Sequence, residues 1–217
     1  FMDWNAVAKE KNRKDYAEAY FPIADKKGNT AMQIVASGPD DEDQTIKMGF
    51  LKMISQAKES IYIQTPYFIP DESLHEMLKI AVLSGVKVKI MIPSKPDHPF
   101  VYRATEYFAK DIVEYGAEVY MYQNGFLHSK VMVVDDEIVS VGTANMDVRS
   151  FKLNFEINAF IYDRDVAEEL IANFDEDQKN CIRATHDYFA KQSKWRKFKQ
   201  AFSRLLSPIL WTESVWK

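Results

Sequence analysis

The sequence has little that would tie the chain together covalently or anchor it in lipid. One of its 217 residues is a cysteine, Cys181. No disulfide can therefore form within the chain, which fits a reducing compartment such as the cytosolic face of a membrane. Cys181 follows an acidic helical pattern and reads as a small buried residue with no chemical role. There is no run of eighteen apolar residues and no signal-peptide pattern, so the chain as given is expected to be soluble. The four histidines form no Cys/His cluster at zinc spacing, and no acidic cluster suggests magnesium, so no metal or other cofactor is expected. An excess of positive charge is missing too. With 28 Lys+Arg against 32 Asp+Glu the net charge is −4, which argues against a broad basic face for duplex nucleic acid, and no nucleic-acid partner is expected. Repeats and low-complexity tracts are absent, and Phe1 begins in mid-pattern, as in a piece of a longer chain.

What remains is an ordinary globular composition, 47% hydrophobic and 28% charged, long enough for one well-buried domain. After a polar, charged stretch over residues 1–30, alternation predicts a strand over Thr30–Ser37, stopped by Gly38-Pro39-Asp40. Ile46, Phe50, Ile54 and Ala57 recur at helical spacing, giving a helix over about 43–59. A strand over 61–64 leads into Thr65-Pro66-Tyr67-Phe68. Asp71 reads as the N-cap of a helix that ends at Gly85. Val86–Ile92 is a strand with lysines on its outer face, a loop carries Asp97-His98, a helix runs from about Phe100 to Gly116, and Ala117–Tyr122 is the next strand. Leu153–Tyr162 is a further strand, Asp163 caps a helix to about Lys179, and 181–210 reads as helical. Strands alternating with helices predict an α/β fold, a mixed sheet with helices on both faces.

The chemistry gathers between His128 and Glu156. His128–Val134 reads as a strand, Asp135-Asp136-Glu137 as a turn and Ile138–Val141 as the return strand. Residues two apart on a strand share a face, so His128 and Lys130 place an imidazole beside an ammonium at a strand end. Gly142-Thr143-Ala144-Asn145 adds a tight bend, a hydroxyl and an amide. A nitrogen that can attack or shuttle a proton, a fixed cation and uncharged donors suit phosphoryl chemistry. Taken alone, His128 would be an ordinary hydrogen-bonded core histidine; its neighbours change that. Asp135 lies about 20 Å along the strand from His128, at about 3.3 Å per residue, which makes it a structural residue of the turn. Glu156, an acid on an otherwise apolar strand, is either an edge-strand surface residue or part of the site. Arg149 and Ser150 are placed below the loop, with Asp147 a possible partner of the arginine. Tyr67, Phe68 and the Asp97-His98 loop are candidates for the pocket rim, at the ends of strands where α/β sheets open their crevices.

HSKVMVVD followed by GTAN resembles the HxKx4D…G(T/S)xN signature of the phospholipase D superfamily, with six fixed identities in eighteen residues. The longer VGTANMDVRSFKLNFE resembles the bacterial cardiolipin synthases, as do SGPD, TPYFIPD, GFLHSK and RLLSP. Those enzymes carry two such motifs, whereas His75, His98 and His186 here have no lysine two residues on. The chain thus resembles the C-terminal half of such an enzyme. The resemblance implies a phospholipase D-like fold and a catalytic set of His128, Lys130, Asp135 and Glu156. Within it Lys130 and Asn145 bind phosphate, Thr143 is a supporting donor and Glu156 orients the imidazole. It also implies transfer of a phosphatidyl group between two phosphatidylglycerol molecules, giving cardiolipin and glycerol. His128 either attacks phosphorus or acts as acid and base; the two-motif pattern implies the second.

On this basis residues 1–30 are a linker or edge segment and 31–190 the catalytic half-domain. Residues 191–217 form a basic amphipathic helix and tail. That tail either lies on an anionic membrane surface or packs on protein. The expected partners are the phospholipid, that surface, and a missing half or a second copy; the expected location is the cell membrane. The rival functions are a single-motif phosphodiesterase or nuclease acting as a dimer, and a non-catalytic membrane-docking fragment.

Overall fold

The computed structural model describes residues 2–15, 17–23, 25, 27–95 and 97–210; the side chains of residues 2, 3 and 206–210 lie outside the description, as do residues 211–217 of the predicted tail. In chain order the elements are α1 (Met2–Val7), β1 (Ala31–Ser37), α2 (Thr45–Gln56), β2 (Ser60–Gln64), β3 (Phe68–Ile69), α3 (Glu72–Leu83), β4 (Lys87–Pro93), α4 (Pro99–Tyr115) and β5 (Glu118–Tyr122). They continue with β6 (Val131–Val134), β7 (Ile138–Gly142), β8 (Met146–Asp147), α5 (Val148–Lys152), β9 (Glu156–Tyr162), α6 (Arg164–Gln178), β10 (Cys181–Arg183), α7 (His186–Ala190) and α8 (Lys194–Leu210). Ahead of β1 the chain folds on itself: Trp4 Nε1 donates to Asn12 O at 3.0 Å, and Asn5 bonds both backbone groups of Lys14.

Eight strands form one mixed sheet in the order β1-β9-β7-β6-β2-β4-β5-β10. β2, β4 and β5 run parallel, and every other pairing in this sheet is antiparallel. Side chains alternate across the sheet, so each strand feeds two layers. Ile61, Ile63, Val88, Ile90, Val119 and Met132 face α2, α3 and α4, where Ile46, Phe50, Leu74, Leu78 and Ile112 complete the main core. On the other face α6 lays Ala167 and Phe174 against Val133, Val139, Met91 and Tyr120. Helices therefore cover both faces, as the alternating pattern requires. The predicted caps form: Asp71 accepts from Leu74 N, Asp163 from Val166 N, and Gly116 closes α4 at φ 114°.

Four expectations need correction. Cys181–Arg183 is an extended segment, not the start of a helix. It pairs Cys181 with Tyr122 and Arg183 with Tyr120, filling the free edge of β5. Lys89 does not face outward. It is buried under α6, 3.2 Å from Asp175 and 3.1 Å from Gln178 Oε1, over the Tyr62 ring. Residues 148–152 form a short helix because Asp147 caps it, so β9 begins at Glu156 rather than Leu153. The strand expected from His128 begins at Val131. Gln64, the last residue of β2, pairs with Val131, so beyond it His128–Lys130 have no strand to lie against except where Gly142 N donates to Lys130 O at 3.3 Å.

Candidate active site

The antiparallel pairing of β6 with β2 puts the start of β6 at the C-terminal ends of the parallel strands, the edge where α/β sheets open their crevices. Leu127, buried with Met91, Tyr120 and Phe174, anchors the segment entering β6. His128 follows and is exposed, its ring 5.9 Å from that of Phe126. The His128 ring makes no hydrogen bond among the described residues, which leaves both nitrogens open. Lys130 turns back so that Nζ donates to the His128 carbonyl at 2.7 Å. Burial pulls the Lys130 ammonium below the ordinary lysine range, while the carboxylates of Glu156 and Asp147 pull it back up. An imidazole and an ammonium thus stand at one strand end, with two acids within electrostatic reach of the cation.

The Gly142–Asn145 bend is built from the strand beside it. A β-carbon at Gly142 would lie 2.3 Å from Ile157 O and 2.5 Å from Asn158 Cγ, so the glycine is required by close approach. The Thr143 hydroxyl accepts from Ile157 N at 2.9 Å and donates to Ile157 O at 3.4 Å. Both contacts tie the exposed end of the loop to β9. Asn158, which sequence reasoning assigned no role, is buried beneath the loop. It accepts from Ala144 N at 3.2 Å and donates to Ser140 Oγ at 3.0 Å. Thr65, at the end of β2, accepts from Met146 N at 3.2 Å and so joins β8 to the central sheet.

Asn145 is half-buried. Its backbone amide donates to Ser150 Oγ at 3.1 Å, its side chain bonds Asp147, and its Oδ1 is buried without a partner among the described residues. In this arrangement the side chain faces inward. Asp147 is the residue that sequence reasoning undervalued. It is fully buried, accepts from Ser150 N at 2.7 Å, and burial pushes its carboxyl up to about 6. The one signal for it was its position two residues after Asn145. Glu156 accepts from Asn154 Nδ2 at 3.0 Å; it makes no hydrogen bond to His128, and it acts on the site through its charge on Lys130 and Asp147.

Asp135 is placed elsewhere. Its N–H donates to Ser60 O, and its carboxylate accepts from the amides of Lys58, Glu59 and Ser60 at 2.7, 2.8 and 2.9 Å. That is the opposite edge of the sheet, so its inclusion with the catalytic set is corrected to a backbone clamp. A broad cleft lined by Ser55, Lys58, Asp136, Glu137 and Arg164 lies at that edge too, away from His128. Of the rim candidates, Tyr67 donates its hydroxyl to Asp97, whereas Phe68 is fully buried in the core and leaves the rim.

The family model described as "Cardiolipin synthase, PLD-like domain" matches residues 50–178, more than half of the chain and the whole stretch from His128 to Asn158. The chain belongs to this family. It is 58% identical over 209 residues to a cardiolipin synthase of Listeria welshimeri and 55% identical to the major cardiolipin synthase of Bacillus subtilis. Each match covers 96% of this chain but 43% of the relative, so the chain spans less than half the length of these proteins. The fold is that of the phospholipase D family. A phosphatidylserine synthase from Haemophilus influenzae superposes with a TM-score of 0.63 at 18% identity, covering 87% of this chain and 48% of its own. The phospholipase D family member Nuc from Salmonella typhimurium gives 0.62 at 21% identity, covering 72% and 99%. Within the cardiolipin synthase family, then, this chain carries the exposed His128 imidazole, the Lys130 ammonium beside it and the Gly142–Asn145 loop braced by the buried Asn158.

Proposed function

We propose that this chain is the C-terminal catalytic half of a cardiolipin synthase, with residues 31–190 as its phospholipase D-like unit, working at the cell membrane. The observation that carries this is the unpaired, exposed His128 imidazole beside a partly buried Lys130 ammonium, in a chain 55–58% identical to cardiolipin synthases over nearly its whole length. His128 serves as acid and base, and a second imidazole comes from a complementary half or a second copy. The second imidazole attacks the phosphorus of one phosphatidylglycerol, forming a P–N bond as the P–O bond to glycerol breaks. Protonated His128 gives its proton to the departing glycerol oxygen. It then takes the proton from a hydroxyl of the second phosphatidylglycerol as that oxygen displaces the P–N bond. Lys130 offsets charge on the phosphate oxygens, and Glu156 favours its charged form. Asn145 reaches the phosphate only by turning its amide away from Asp147.

The test uses the full-length enzyme, phosphatidylglycerol vesicles and a readout of both glycerol and cardiolipin. His128→Ala should abolish both products with little change in thermal stability, because the ring is exposed and unbonded. Wild-type product formation by the purified variant refutes the assignment.

A further inference from the structure

The C-terminal helix α8 is docked the reverse of the usual way. Its inner face is polar: Arg196 pairs with Glu106, Gln200 Nε2 donates to Glu106 at 3.3 Å and to Gln192 at 2.8 Å, and Gln200 and Ser203 are buried. Arg204 lies over the Tyr107 ring at 4.9 Å. Glu106 on α4 is fully buried and serves as the anchor. The apolar stripe therefore points away from the protein, with Trp195, Phe198, Phe202 and Leu205 at 64%, 58%, 46% and 70% exposure. Its rings are stacked, Trp195 on Phe198 at 5.5 Å and Phe198 on Phe202 at 6.3 Å. At about 100° per residue, Lys194 and Lys199 fall on the two flanks of the stripe, with Lys199 Nζ 5.3 Å from the Trp195 ring. No Asp or Glu occurs between Tyr188 and Leu210, in a chain whose net charge is −4.

From this we infer that the outer face of α8 is a docking surface for an anionic phospholipid bilayer. The rings enter the boundary between headgroups and acyl chains, and the flanking lysines meet lipid phosphates. Charge decides between occupants. A basic-edged aromatic stripe with no acid along it complements an anionic surface, whereas a second copy would set the same lysines against each other. The inference rests on the lipid-substrate proposal only for its choice of lipid, and its test needs no turnover.

The chain is sedimented with phosphatidylcholine vesicles, with and without phosphatidylglycerol. Binding should require phosphatidylglycerol and weaken as salt rises. Phe198→Ser and Phe202→Ser should each lower partitioning on the order of tenfold, and Lys194→Gln and Lys199→Gln about fivefold each. As a readout independent of these variants, a chain with Trp195 as its sole tryptophan should shift its emission to the blue on phosphatidylglycerol vesicles. His128→Ala should bind like wild type, so loss of the catalytic proposal would leave this result standing. Three results overturn the inference: equal binding to both vesicle types or to neither, binding unchanged by the serine variants, or a Trp195 shift that follows protein concentration without lipid.

Discussion

Asp135 offers the sharpest test of how the motif is divided between chemistry and scaffold. Its carboxylate accepts three consecutive backbone amides, Lys58, Glu59 and Ser60, at 2.7–2.9 Å. Its own backbone is in the left-handed region, at φ 52°. Hydrogen bonds to a charged acceptor contribute about 1.5–3 kcal/mol each. After truncation to alanine, water can reach the Lys58 and Glu59 amides, while the Ser60 amide is partly buried, so the three bonds together contribute about 3 kcal/mol. Alanine tolerates the left-handed region less well than aspartate, at a cost of about 1 kcal/mol. Asp135→Ala should therefore destabilise the fold by about 4 kcal/mol. At about 2–4 °C per kcal/mol for a chain of this size, that is on the order of 10 °C in Tm. Asp135→Asn keeps one acceptor oxygen and tolerance of the left-handed region, and should fall between. Asp136 is the control: it sits at φ 54° with no side-chain hydrogen bond among the described residues, so Asp136→Ala should cost about 1 kcal/mol. Urea unfolding measures all three, with an unchanged slope showing that stability alone has moved. Equal losses for Asp135→Ala and Asp136→Ala would refute the clamp.

Two further predictions concern the loop. Gly142→Ala drives a β-carbon into Ile157 O, and since neither strand can yield cheaply it should cost at least about 2 kcal/mol; hydrogen exchange at the Ala144 amide should quicken with it, and an unchanged unfolding midpoint would refute the close approach. Asp147 has its folded carboxyl raised from 3.8 to about 6, so the folded state holds a proton that the unfolded state gives up first. Its contribution is fully present below pH 3.8 and is lost as pH rises to 6, a swing of about 3 kcal/mol. Asp147→Asn has no proton to lose there, so the stability difference between wild type and variant should change by that amount between pH 4 and 6.5; a flat difference sinks the assignment.

Much of the fold was legible because its causes are local. Asp71 and Asp163 announce helix starts, Gly116 announces a stop, and the alternation in Lys87–Pro93 announces a strand whichever neighbour it finds. What failed depended on partners distant in sequence. Lys89 reads as an outward lysine until α6 brings Asp175 and Gln178 over it. The strand expected from His128 is cut short by the length of β2, which its own sequence does not contain. In the site, His128, Lys130 and Asn145 stand out by motif, but Asn158 and Asp147 gain their place from register across strands. The stripe on α8 was visible from its periodicity, yet periodicity does not say which side faces the protein; only Glu106, ninety residues earlier, decides that.

The order of the sheet also dictates an order of assembly. β1 pairs only with β9, Ala31 with Tyr162 and Ser37 with Glu156, so the earliest strand of this sheet waits for one that emerges more than a hundred residues later. At about 5–20 residues per second during synthesis, β1 stays unpaired for on the order of ten seconds, with its backbone N–H and C=O groups open to chance pairing until β9 arrives. The same strand brings Asn158 under the loop and Glu156 toward Lys130. The candidate site and the edge of the sheet therefore close in one late step, and a nascent chain that lacks β9 holds the His128 imidazole without the scaffold that frames it.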